Sequence, residues 1–427
     1  MQLKYLDLKY KPAKTDLVCE YYVEPSRMSI EEACENIAAE SSIGTWTDIS
    51  TMSPYIARKL KPHIYSINKK TREVKIAYTC DLFEKGNMAE ILSSIAGNIF
   101  GMKAIKNLRL QDISFPEKLI RSFRGPKYGI EGIRKLLKVK ERPLCGTIIK
   151  PKVGLNEKGH ARVAYEAWTG GLDIVKDDEN LSSMTFNNFY KRIAETLKMR
   201  DKAEKETGEK KMYMANITAE TDEMLKRAKF IKAHGGEYMM VDIVTMGWSA
   251  LQTVRNANDN LNMVIHAHRA GHAMLTRNPK HGMSMMTVAK CARLIGVDQL
   301  HIGTAAVGKM FGSRIEVDIE KEIEEEETFE NPKKNVLNQK WFDIKPVLAV
   351  ASGGLHPGMI PEVVKVMGKD VVIQLGGGVH WHPKGTKYGA MAARQAIEAV
   401  MKNISLREYA KTHQELKAAI NKFGITK

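Results

Sequence analysis

The polar residues best equipped for chemistry stand where short apolar runs end. Lys150 and Lys152 follow the run from Leu144 to Ile149, and Lys176-Asp177-Asp178-Glu179-Asn180 follows Leu172-Asp173-Ile174-Val175. His266, His268 and Arg269 close a further run, as do His301, Ser352-Gly353-Gly354 and Gly376-Gly377-Gly378 in their turn. Asp178 and Glu179 offer adjacent hard oxygen atoms of the kind Mg2+ takes, although two carboxylates alone make a weak site for an ion that wants octahedral oxygen. Lys176 carries the wrong charge for a ligand. It becomes one only if its amine is converted to an anionic oxygen group, as carbamylation by CO2 does; a plain salt bridge that neutralises the carboxylates remains open. The two glycine clusters let backbone N–H groups approach a phosphate closely, whereas ordinary tight turns would explain one such cluster better than two. Arg269 and His301 are suited to a second phosphate.

These residues need a scaffold that brings distant strand ends together. From Pro143 onward the chain repeats a short apolar strand, a polar loop and an amphipathic helix. The expected strands are Leu144–Lys150, Leu172–Lys176, Lys211–Ile217, Tyr238–Ile243, Met263–His268, Leu300–Gly303, Val347–Ser352 and Val371–Leu375, with helices such as Ala161–Trp168, Asp222–Ala233, Met285–Ile295 and Tyr388–Met401 between them. Eight strands each followed by a helix are the count that closes a (β/α)8 barrel, whose active sites lie at the C-terminal strand ends and whose last two strands commonly bind phosphate. An open doubly wound sheet is the alternative that spacing cannot exclude.

The first 125 residues read differently. Leu17–Val23 alternates as a strand, a helix capped at Ser29 follows, 63–67 and 74–78 flank a polar turn as a hairpin, Met88–Ala96 is a second helix and Leu108-Arg109-Leu110 begins another strand. This pattern predicts a small α+β, ferredoxin-like domain over 1–125, a connecting segment over 126–142, the barrel over 143–404 and a helical extension over 405–427. The acidic run 316–330 is expected to be a solvated helix face.

Composition narrows the classes. Of 427 residues, 43% are hydrophobic and 27% charged, which excludes a disordered chain or a small disulfide scaffold. No apolar run is long enough to span a membrane and Met1–Asp7 lacks a secretion-signal layout, so a cytoplasmic protein is expected. The 66 Lys and Arg against 50 Asp and Glu, net +16, suit nucleic acid or anionic small substrates. The charge is spread thinly and aromatics are only 7%, which argues against a nucleic-acid platform. The five cysteines have neither zinc-knuckle nor disulfide-framework spacing.

Gly146-Thr147-Ile148-Ile149-Lys150-Pro151-Lys152-Val153-Gly154-Leu155 resembles the first-strand signature of the ribulose-1,5-bisphosphate carboxylase large chain, and Gly170 to Asn180 resembles its activation motif. His266-Ala267-His268-Arg269-Ala270-Gly271-His272, the segment His301–Lys309, Ser352-Gly353-Gly354 and Gln374-Leu375-Gly376-Gly377-Gly378 follow in family order, and 40–47 and Gly97-Asn98 match as well. The wording is most similar to the archaeal form III enzymes. The resemblance implies Mg2+-dependent carboxylation of ribulose 1,5-bisphosphate to two 3-phosphoglycerate molecules, with an oxygenase side reaction with O2, and a place in nucleoside monophosphate salvage.

It further implies roles for particular residues. Lys176 would be carbamylated and, with Asp178 and Glu179, hold Mg2+. Lys150, Lys152 and His268 would move protons or assist, and Lys309 would neutralise the new carboxylate, paired with Glu40. Thr45, Trp46, Gly354, Gly376 and Gly377 would form one phosphate site, Arg269 and His301 the other; Ser352 would bind a substrate hydroxyl, and Gly353 and Gln374 would also line the substrate site. Asn98 would reach the metal region. Glu40, Thr45, Trp46 and Asn98 would serve a neighbouring subunit, which implies a homodimer or an assembly of dimers, with no small subunit. A carboxylase-like sugar-phosphate enolase or isomerase is the alternative enzyme, and a non-catalytic nucleic-acid binder the alternative from another class. Four departures concern detail: Ile148 replaces a threonine, the stretch between His301 and Lys309 is one residue longer than in the plant pattern, Phe311 stands where an acidic residue is usual, and Val379-His380-Trp381-His382 is unusual. Gly303 and Gly308 bracket that stretch as candidate hinges.

Overall fold

The computed structural model describes residues 3–45, 50–308 and 315–426. The chain forms two compact units, one of Met1–Gly125, Gly271–Ile295 and Glu325–Ile344, the other of Pro126–Ala270, Gly296–Glu324 and Lys345–Lys427.

The first unit is built on a β-α-β-β-α-β core. Asp16–Pro25 runs antiparallel to both Glu73–Thr79 and Ile105–Ser114, and Glu73–Thr79 pairs in turn with His63–Asn68, the ferredoxin-like order. The helix Ile30–Glu40 starts where its capping residues predict, with Ser29 and Glu32 forming a reciprocal capping box. Two excursions from later in the chain complete the unit. Gly282–Met283 adds a parallel edge to Ile105–Ser114, and Met285–Ile295 places the buried Lys290 ammonium 2.8 Å from Asp112.

The second unit contains a closed barrel of eight parallel strands, so the open-sheet alternative is excluded. Around the barrel they are Leu144–Ile148, Ile174–Lys176, Met212–Asn216, Tyr238–Asp242, Val264–His268, Gln299–His301, Leu348–Ser352 and Val371–Gln374, the last pairing back onto the first. Strands buried on both faces read as near-continuous apolar runs, which is why they were legible. The segment expected only to connect the domains contains the helix Gly129–Leu137. Its Ile133 and Leu137 pack on Leu144, Ile174, Met212, Tyr238, Val264 and Leu348, inside one core cluster. The buried Asp298 carboxylate accepts the Tyr128 and Gly129 amides and fixes where this helix begins. These contacts fill the N-terminal end of the barrel. Two short helices, Leu406–Tyr409 and Gln414–Phe423, end the unit.

The acidic run departs from expectation. In Ile315–Glu324 the side chains of Glu316, Glu320 and Glu322 are buried rather than solvated. The 3.6-residue period places these three with Ile319 and Ile323 on the inward side, so the helix buries carboxylates with its apolar stripe. Burial, with the nearby charge of Asp370, pushes Glu320 up to about 8. Only the later part of the run behaves as expected, with Glu325, Glu326 and Glu330 exposed.

Candidate active site

The strand-two end shows how one run of charges divides. Side chains alternate across a strand, so Lys176 and Asp178 face one way and Asp177 the other. Asp177 is fully buried and accepts from the Tyr213 hydroxyl at 2.6 Å and the Asn216 amide at 3.0 Å, with His160 at 3.0 Å and the Arg192 guanidinium at 3.3 Å. Burial alone would raise its pKa, but Arg192 and His160 more than reverse that and hold it ionised.

Lys176 is 1% exposed. Its Nζ donates to the Asp177 carbonyl at 2.7 Å, lies 3.2 Å from Met240 Sδ and stands 3.8 Å from Glu179. Burial lowers its pKa, and the charges of Glu179, Asp242, Asp178 and Asp177 oppose this without cancelling it. Lys150 donates to Asp178 at 2.7 Å. Glu179 is approached by Lys176 and Lys152, each at 3.8 Å, and by His268 Nε2 at 3.7 Å. Burial pushes the Glu179 carboxyl up, but Lys176, the nearby His268 ring, a backbone amide and Lys152 bring it below its usual value.

At the next strand ends, His268 Nδ1 meets Asp242 Oδ1 at 2.6 Å. That bond assigns the Nδ1 proton and leaves Nε2 turned toward Glu179. His301 is buried, and its Nε2 lies 2.9 Å from Nε2 of His266. Burial, reinforced by neighbouring His268 and Lys176, drives both rings of that pair well below the ordinary histidine pKa. Both are therefore neutral. Burial also lowers Arg269 to about 10, against the opposing charge of Glu316.

The glycine-rich ends lie on the same barrel unit. Ser352 closes its strand, and Gly353 and Gly354 follow with φ of 137° and 72°, values that exclude most other residues. A Cβ on Gly376 would stand 3.4 Å from Lys150 Cε, while the corresponding position at Gly377 is open. Gln374 is buried, and its side-chain oxygen has no hydrogen-bond partner among the described residues. The unusual His380 is accounted for by structure. Its Nε2 lies 2.9 Å from both Ile148 O and Thr147 Oγ1, tying the eighth strand's loop to the first strand, and burial pushes its pKa down to about 4.

The barrel thus assembles Lys150, Lys152, Lys176, Asp178, Glu179 and His268 into one contiguous polar group. Arg269, His301, Ser352, Gly353, Gly354, Gln374, Gly376 and Gly377 stand at or beside strand ends of the same sense. In the other unit, Asn98 Nδ2 donates to Glu40 Oε1 at 3.3 Å, and Thr45 and Asn98 are exposed. Trp46 and Lys309 lie outside the described residues. Sequence reasoning missed Asp242 and Asn216. Asp242 orients His268, and Asn216 Nδ2 holds the carbonyls of Glu179 and Leu181, each at 3.2 Å. Both terminate barrel strands, so polar residues at the third and fourth strand ends were the available signal.

Among the described residues no three His, Cys, Asp or Glu side chains form a metal-ligating group. Asp178 and Glu179 nonetheless supply hard oxygen donors beside a buried amine, a set that fits Mg2+ once a further anionic oxygen is added.

Comparison with known proteins agrees with this architecture. The family model for the ribulose bisphosphate carboxylase large chain, catalytic domain, matches residues 129–423, and that for its N-terminal domain matches 4–119. The chain is 52% identical over 426 residues to a ribulose bisphosphate carboxylase of Methanosarcina barkeri, covering 99% of each chain. It is similar to the solved structure of a dimeric archaeal Rubisco from Hyperthermus butylicus, with a TM-score of 0.94, 46% identity and 99% of each chain covered. An octameric Rubisco from Pyrococcus horikoshii gives a TM-score of 0.92 at 46% identity, covering 99% of this chain and 97% of that one. With both of its parts matched, the chain belongs to the ribulose bisphosphate carboxylase large-chain family.

Proposed function

We propose that the chain adds CO2 to C2 of ribulose 1,5-bisphosphate and water to C3, breaking the C2–C3 bond to give two molecules of 3-phosphoglycerate, with O2 as a competing reactant, and that it serves nucleoside monophosphate salvage. One observation carries the reading: the buried Lys176 amine lies beside Asp178 and Glu179, with Lys150 on one carboxylate and His268 near the other. An ordinary neutralising lysine has no need of such burial, since burial costs a charged amine its hydration. It suits an amine that reacts in its uncharged form with CO2. The carbamate then completes the oxygen set with Asp178 and Glu179. Mg2+, when bound, supplies Lewis-acid stabilisation of negative charge on substrate oxygens.

The chain's own groups divide the remaining work. Lys176, as its carbamate, takes the C3 proton to give the enediolate, with Lys150 as its acid–base partner. Lys152 assists, and His268, oriented by Asp242, serves proton transfer through Nε2. Arg269 holds one phosphate as the cation, and the neutral His301 contributes a hydrogen bond there. Gly353, Gly354, Gly376 and Gly377 give backbone amides to the other phosphate, with Thr45 and Trp46 from a neighbouring subunit. Ser352 and Gln374 hold substrate hydroxyls, and Lys309 neutralises the new carboxylate. Glu40 and Asn98 complete the neighbouring subunit's site, so the working form is a homodimer or a larger assembly of dimers. The enolase or isomerase alternative is disfavoured because Lys150, Lys176, His268, Arg269, His301 and Lys309 are all present.

The decisive assay is incorporation of radiolabelled CO2 into acid-stable product in the presence of ribulose 1,5-bisphosphate and Mg2+. Substrate enolisation without label in product would replace carboxylation by the enolase reading. Asp242→Ala is expected to lower kcat roughly 10- to 100-fold, because His268 loses the partner that sets its tautomer and orientation. Unchanged kcat would remove His268 Nε2 from the proton path. Mixing separately inactive Asn98→Ala and Lys176→Ala subunits should restore activity, since one site of each mixed dimer carries neither defect. Verified subunit exchange with no recovery would count against sites shared between subunits.

A further inference from the structure

We infer that Glu316 is a positioning residue, a carboxylate latch that holds the turn after the sixth barrel strand and so acts on a step after the bisphosphate is bound. Glu316 stands in the first turn of Ile315–Glu324, yet its side chain is only 6% exposed. Its Oε2 accepts the Ala305 amide at 2.5 Å. Ala305 precedes the stretch that leads to Lys309 and Glu316 follows it, so this one bond ties the chain together on either side of residues 306–315. The bond holds the Ala305 amide and with it the turn from Gly303 to Gly308.

The surroundings are built around that carboxylate. Gly303 has φ of 115°, and a Cβ there would overlap the Glu316 carboxyl group. Ala305 and Ala306 are both left-handed, at φ of 49° and 66°. This conformation is unfavourable for alanine and persists only where neighbouring structure enforces it. Further along the turn, the Gly308 amide donates to Thr304 Oγ1 at 2.9 Å, and a Cβ on Gly308 would overlap the Gly353 carbonyl. Gly303 and Gly308 are therefore close-packed in this turn, a property that their reading as hinges did not include. The Arg269 guanidinium, for which Glu316 is the opposing charge, offsets part of the cost of burying the carboxylate.

The inference rests on the proposed carboxylation, in which Lys309 acts on the new carboxylate. Three variants test it: Glu316→Ala removes the acceptor, Glu316→Gln keeps an acceptor without the charge, and Gly303→Ala crowds the carboxylate out. Glu316→Ala and Gly303→Ala are expected to lower kcat roughly 10- to 100-fold with the KM for ribulose 1,5-bisphosphate changed less than about 3-fold, because misplacement without lost binding shows in turnover. Glu316→Gln should recover most of the loss. Amide hydrogen exchange over 303–308, read on the same proteins without substrate, should accelerate in Glu316→Ala and stay near wild type in Glu316→Gln. Full kcat in Glu316→Ala, equal losses in the Gln and Ala variants, or unchanged exchange would overturn the latch. If Glu316→Ala does not fold, the isosteric Glu316→Gln decides, since a large kcat loss or faster exchange in that variant would itself overturn it. A wild-type chain that does not carboxylate would defeat the functional reading, and the exchange measurement would still decide the latch.

Discussion

Lys176→Ala is expected to abolish carboxylation, a loss of about 10³-fold or more, because the variant lacks both the base at C3 and one oxygen ligand. Wild-type initial activity should rise on preincubation with CO2 and Mg2+. The pH dependence of that activation has a definite sign. Only the uncharged amine reacts with CO2, and burial lowers the Lys176 pKa despite the acidic charges around it. The uncharged form is therefore present at lower pH than for an exposed lysine. Activation should be fast above the lowered pKa and slow as pH falls through it. Lys176→Met, which preserves volume beside Met240, separates chemistry from packing. It should fold like the wild type and remain inactive. Full activity in either variant, or activation that does not respond to CO2, would remove the carbamate from the mechanism.

Asp177→Ala is expected to cost about 3–5 kcal/mol of stability, although Asp177 has no role in the chemistry. The substitution leaves the buried Arg192 guanidinium without its counter-charge, and breaking one side of a buried ion pair costs about this much. It also takes an acceptor from Tyr213 and from the Asn216 amide. Urea unfolding should show a lower midpoint with little change in slope. Activity at temperatures where the variant is folded should fall as well, since Asp177 anchors the backbone from which Lys176 and Asp178 project. A stability loss under about 1 kcal/mol would show that water or a rearranged Arg192 can take the carboxylate's place.

The barrel was legible because its strands are apolar on both faces and its helices follow the 3.6-residue period, both local properties of the chain. The strand-end positions of Lys150, Lys176, His268 and His301 were legible for the same reason. The cap at Ser29 and the hairpin around the turn after Asn68 needed only neighbouring residues. What required the tertiary structure was every pairing between residues distant in sequence. Lys-Asp-Asp-Glu reads as one acidic cluster, yet Asp177 turns away to Arg192 and Tyr213, and Asp178 and Glu179 remain with Lys176. His301 reads as a candidate phosphate-binding residue, but burial in the barrel interior, reinforced by His268 and by His266 at 2.9 Å, makes it neutral. Gly303 and Gly308 read as hinges because glycine is permissive; their role as close-packing positions depends on Glu316 and Gly353, which approach only in the folded chain. The acidic helix reads as solvated because charge is the stronger local signal, whereas burial of Glu316, Glu320 and Glu322 is set by what packs against it. Local composition and periodicity were enough for the succession of elements and for the residue types available at each strand end. The tertiary structure alone decided which of those charges are paired, neutral or buried, because ionisation depends on solvent exclusion and on partners that local sequence does not specify.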